Sequence, residues 1–147
     1  MPKTTSRQGF TLVELIVTLA ILIGIFGISI FIGINFLEGE SLQTERANLL
    51  SALRKTRSEA INNINQSDHG VFITTSTYIL FQGTSYVSRT LAYDEVFQMK
   101  GGITLNGVPE IIFKALEGNT NASGTITINK GDKSYNILVN YEGGIDW

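Results

Sequence analysis

The chain has 147 residues, 43% of them hydrophobic and 16% charged, with a formal net charge of −2. That size suits one domain, and the composition excludes an acidic disordered chain and gives no support to a broadly basic nucleic-acid coat. It has no cysteine and one histidine, His69, which removes disulfide frameworks, thiol nucleophiles, zinc knuckles and multi-histidine metal sites. Fifteen glycines against two prolines point to many turns and hence to a β-rich portion.

From Phe10 to Ile34 the only polar residues are Thr11, Glu14, Thr18 and Ser29, and Glu14 alone is charged. The twenty residues from Leu15 to Ile34 carry no charge. That is about the number an α-helix needs to cross a hydrocarbon core of ~30 Å. Gly24, Gly27 and Gly33 are tolerable in such a helix and allow close helix contacts. The first nine residues contain Lys3 and Arg7 and no acid, so this end is expected to stay cytoplasmic, with the chain beyond Ile34 on the other side of the cytoplasmic membrane. A cleaved secretory signal fits poorly, because the run is too long and no A-x-A pattern follows it.

A carboxylate four residues into an apolar run is costly and normally has a partner or a task. Gly9-Phe10-Thr11-Leu12-Val13-Glu14-Leu15-Ile16 resembles the processing signature of type IV pilins and pseudopilins, GFTLxELxxxxxIxxI, behind a basic leader. The resemblance implies a prepilin peptidase that cuts between Gly9 and Phe10 and N-methylates Phe10. It also implies that Glu14 pairs with the amino terminus of a neighbouring subunit in a fibre. Two buried opposite charges then offset each other's desolvation, so Glu14 sets subunit register and performs no catalysis. Many members of this family place a proline midway along the helix, where this chain has Phe31, so no proline kink is expected.

Past the apolar run, Leu42, Leu49, Leu53, Ala60 and Ile64 recur at steps of seven and four and predict one apolar helical stripe, interrupted by Arg46. Glu45, Arg54, Lys55, Arg57 and Glu59 read as a solvated face. The helix is expected to stop within Asn62–Gly70, a segment rich in turn formers. A helix from Phe10 to there would extend about 80 Å, which suits a stalk carrying a head. Val71–Thr75 and Tyr78–Gln82 read as strands, and Ser123–Ile128 and Ser134–Asn140 as a hairpin around the four-residue turn Lys130–Lys133.

In the carboxyl-terminal half, Ile111-Ile112-Phe113-Lys114, Gly118 and Ser123–Ile128 are similar to a pattern in the GspH/FimT group of minor pseudopilins. Tyr93-Asp94, Gly102–Leu105 and Gly144-Ile145 fit it too. The expected fold is therefore α+β and pilin-like, a long N-terminal transmembrane helix packed on a C-terminal antiparallel β-sheet head. Its parts are a leader (1–9), a transmembrane and assembly helix (10–34), an amphipathic continuation (35–64) and an extracytoplasmic head (65–147).

Other chemistry finds little footing. Gly118–Thr125 lacks the lysine of a phosphate loop and reads as a mobile surface loop. Asp94, Glu95 and Asp132 are scattered, with no calcium-loop spacing. Asn65–Ser67 and Asn121–Ser123 match the short glycosylation pattern, which is common by chance. His69 reads as a surface histidine. No enzyme, cofactor or metal is expected. The resemblance implies a minor pseudopilin or pilin of a type II secretion system or type IV pilus, working with prepilin peptidase, other pilin or pseudopilin subunits and the cytoplasmic membrane. The alternative is a minor pilin of a DNA-uptake pilus that contacts DNA directly. The acidic tail Asn140–Trp147, with two acids and no base, speaks against it.

Overall fold

A computed structural model describes the chain from residue 11 to residue 147, with side chains over 11–27 and 41–147. The leader, Gly9 and Phe10 lie outside the described residues, as do the side chains of Phe31 and Ile34. Helix α1 (Leu12–Ile61) is followed by eight strands: β1 (His69–Ile73), β2 (Thr77–Gln82), β3 (Glu95–Gln98), β4 (Thr104–Gly107), β5 (Glu110–Phe113), β6 (Gly124–Lys130), β7 (Lys133–Val139) and β8 (Ile145–Asp146). The chain forms two compact units, Met1–Leu37 and Glu38–Trp147, which are described separately.

In the first unit the described part of α1 is apolar all round. Eleven large hydrophobic side chains between Leu12 and Phe26 are exposed. Thr18 turns its hydroxyl back onto the Leu15 carbonyl at 2.9 Å, so its polar group is satisfied within the helix. Among the described residues no helix is long and apolar enough to cross a membrane.

In the second unit the helical stripe forms much of the core. Leu42, Leu49, Leu53 and Ala60 are fully buried, and they belong to one apolar cluster with Val71, Phe113, Ile126, Ile128, Ile137 and Val139. Ile64, the last stripe position, falls outside the helix and is exposed. The helix stops at Ile61 because Asn63 takes a left-handed conformation (φ 52°), as do Asn65 and Gln66. Asparagine tolerates that region better than most residues. The Ala60 carbonyl at the helix end accepts from Asn63 N in the closing turn and from Leu116 N, both at 2.9 Å.

The strands make two antiparallel four-stranded sheets where one was expected, in the orders β3-β2-β1-β5 and β4-β6-β7-β8. The expected hairpin is present as β6–β7, but its turn is tighter than four residues. Lys130 pairs with Lys133, leaving only Gly131 and Asp132 in the loop. Gly131 has φ 55° and Asp132 does not share the positive φ, the pattern of a II′ turn. Register places Ile126 opposite Ile137, both fully buried, while Leu138 faces outward.

The two sheets are tied by interlocked loops. Phe113 at the end of β5 bridges to Thr120. Thr120 then donates its backbone N–H to Tyr141 O (2.9 Å) and its hydroxyl to Asn140 O (2.8 Å), just past β7. Asn121 accepts from Ile112 N through its side chain at 2.8 Å. The segment 118–125, expected to be a mobile surface loop, is thus anchored at Thr120, which is buried.

Candidate functional site

Of the residues singled out at the amino end, Gly9 and Phe10 lie outside the described residues and Glu14 lies within them. Helix α1 starts at Leu12, so Thr11 is its N-cap and Glu14 the third helical residue. Thr11 Oγ1 accepts from Glu14 N at 3.3 Å, and Leu15 N donates to Thr11 O at 3.2 Å, the first bond of the helix. Thr11-x-x-Glu14 is the sequence pattern of a capping box, a signal the apolar context hides. Glu14 also complements the positive end of the helix dipole. It is exposed, the one carboxylate on an otherwise apolar helical segment.

Several charged positions read as solvated have specific uses in the second unit. Glu45 is buried, with 5% exposure. The guanidinium of Arg46 lies 4.9 Å over the Tyr135 ring and that of Arg54 lies 4.2 Å over Trp147. Arg57 donates to Glu142 O at 3.2 Å. Lys55 pairs with Glu95 and Glu59. The hydrogen bond from Lys55 to Glu95 raises its pKa above the usual lysine value; burial opposes it, and the charges of Glu95 and Glu59 add to the rise. Asp94 is paired with Arg89 at 2.8 Å. Asp132 is exposed in the β6–β7 turn.

His69 is not a surface residue. It is 6% exposed, with Nε2 3.0 Å from Ile64 O and Nδ1 3.5 Å from Glu59 Oε2. No group of three or more His, Asp or Glu side chains that could hold a metal ion occurs among the described residues.

Tyr78 was not singled out in the sequence. Its ring stacks on Phe97 at 4.9 Å and 7°. Burial, then the nearby Glu45 charge, pushes its hydroxyl up to about 12 from 10.0. Between pH 10 and about 12 an unfolded chain releases this proton while the folded chain keeps it. Stability is therefore complete below pH 10 and falls as pH rises through that window. Because the group borders a groove open to water, the loss should be about 1–2 kcal/mol, less than the full shift implies. Tyr78→Phe should unfold at a higher pH than the parent chain in alkaline titrations followed by circular dichroism. Lys55 acts in the same range in both proteins, so the difference isolates Tyr78.

Against known proteins, the family model described as the prokaryotic N-terminal methylation motif matches residues 4–32. The match covers the Gly9–Phe10 junction, Glu14 and the apolar stretch behind them. It supports a type IV pilin-like protein and indicates processing of the prepilin kind. No curated protein and no solved structure matches the chain.

Proposed function

We propose that the chain is the precursor of a minor pseudopilin or minor pilin, most similar to the GspH/FimT group. In this reading prepilin peptidase cuts between Gly9 and Phe10 and methylates the new terminus. The processed chain is held in the cytoplasmic membrane by its apolar helix, amino terminus inside and head outside. It then joins other subunits in a pseudopilus or pilus, or in its tip complex. Its role is structural, in assembly for protein secretion or pilus formation, and not enzymatic.

The observation that carries the proposal is the helical segment apolar on every side. Eleven exposed large hydrophobic side chains lie between Leu12 and Phe26. Each would gain about 1.5–3 kcal/mol from full burial. A helix hydrophobic all round belongs inside lipid or a bundle, and such exposed area demands a cover. Glu14 is then a carboxylate that must enter that cover, where the charged amino terminus of a neighbour is the fitting partner. Direct DNA contact is disfavoured, since Arg46, Arg54 and Arg57 are engaged with Tyr135, Trp147 and the Glu142 carbonyl.

Glu14 also stands at the capping-box position of the first helical turn, and two substitutions separate a capping role from the proposed pairing role. Glu14→Gln retains capping ability and loses the charge, whereas Glu14→Ala loses both. The dipole contribution at stake is only about 0.3–1 kcal/mol. Both variants should be cleaved normally, and both should lose fibre incorporation at least tenfold in a sheared-fibre immunoblot with the partner subunits present. Normal incorporation of Glu14→Gln would assign Glu14 to helix capping alone.

A further inference from the structure

Between α1 and the β2–β3 side of the first sheet lies a groove of about 430 Å³. Two residues at its lining are almost wholly buried, Glu45 at 5% and Tyr78 at 2% exposure, with Phe97 stacked on Tyr78 as an aromatic wall. The hydrogen bond to Glu45 Oε2 from Asn48 Nδ2 is long, at 3.5 Å. No lysine, arginine or histidine forms an ion pair with Glu45 among the described residues. Lys55 and Lys100 line the same groove, but Lys55 is held by Glu95 and Glu59, and Lys100 is exposed and makes no ion pair with Glu45. A carboxylate held at 5% exposure with one long hydrogen bond and no ion pair is unfavourable for folding, so its presence beside an open groove is a signature of something to be bound.

The groove also has a rim suited to a peptide. β3 is the outer strand of its sheet, paired only with β2, and all four of its residues are exposed. A strand in that position offers free backbone groups to an extended chain. We propose that this groove receives a lysine or arginine side chain from an extended segment of a partner polypeptide running along β3. Glu45 pairs with the cationic head, and the Phe97–Tyr78 wall takes the stem and the cation's attraction to an aromatic face. This inference does not depend on the fibre-subunit reading.

The test uses the full chain in detergent micelles, ¹⁵N-labelled and titrated with the blocked pentapeptide Val-Thr-Lys-Val-Thr, its norleucine counterpart, and blocked lysine alone. The lysine peptide should saturate shifts at the Glu45, Asn48 and Phe97 amides, at least tenfold more tightly than either other probe. Glu45→Gln should weaken that binding at least tenfold while leaving the melting temperature unchanged or higher, because an uncompensated buried charge has been removed. Phe97→Leu, at an exposed position, should weaken it severalfold with the fold intact.

Equal binding of the lysine and norleucine peptides, or undiminished binding by Glu45→Gln, would overturn the proposal. So would a fall of several degrees in the melting temperature of Glu45→Gln, which would mark the carboxylate as structural. Blocked lysine binding as tightly as the pentapeptide would overturn the polypeptide occupant.

Discussion

Replacing Gly143 by alanine should destabilise the head by at least about 3 kcal/mol and lower its melting temperature by roughly 10 °C or more. Gly143 has φ 77°, where an L side chain is strained, and a Cβ there would stand 2.0 Å from the Gly118 backbone oxygen. Neither backbone can move freely. Gly143 N donates to Asn140 O (3.0 Å), Gly144 N to Asn140 Oδ1 (2.6 Å), and Asn140 O also accepts the Thr120 hydroxyl. This interlock joins the end of β7 to the loop after β5, so the strain falls on the junction of the two sheets. A thermal melt followed by circular dichroism decides it. A fall of under 3 °C would mean that the two loops part without cost and do not tie the sheets.

The second large effect is expected at Phe113. Its side chain is fully buried, in the cluster that gathers Leu49 and Leu53 of the helix with Ile126 and Val139 of the second sheet. Phe113→Ala removes a ring that its neighbours can only partly replace, so the loss should be about 3–5 kcal/mol. Against a typical domain stability of about 5–15 kcal/mol this leaves a marginal head. Urea denaturation should show a lower midpoint with an unchanged slope. A loss below about 1 kcal/mol would mean that the sheets and helix do not share one core.

Features that depend on local pattern were legible before the fold was known. The apolar run needs no tertiary information, because charge-free helical length is its own signal. The stripe Leu42–Leu49–Leu53–Ala60 is a matter of spacing, and all four residues are buried. The β6–β7 hairpin was legible from alternation, although its turn was read too long because Lys130 and Lys133 look like loop residues. What remained hidden depends on distant partners. β3 has four exposed residues and so shows no alternation, and β4 and β5 are four-residue strands divided by Val108-Pro109.

His69 and Glu45 are polar side chains in segments that read as surface, and only the folded chain buries them. For His69 the reason is visible: the left-handed turn at Asn63–Gln66 brings the Ile64 carbonyl to Nε2, while Glu59 approaches Nδ1 from the helix. Thr120 is likewise fixed by a carbonyl twenty residues away. The processing junction was legible in a different sense. Its signature was read from residues alone, and the methylation-motif match covers it, while Glu14's position at a helix N-terminus emerged only with Thr11 as the cap.

The most direct test of the central proposal is the intact mass and amino-terminal sequence of the full chain after co-expression with a prepilin peptidase. A chain that begins at N-methylated Phe10, with the nine-residue leader lost, is the predicted result. A chain that keeps Met1 to Gly9, or is cut after the apolar run, would contradict it and remove the basis for fibre assembly.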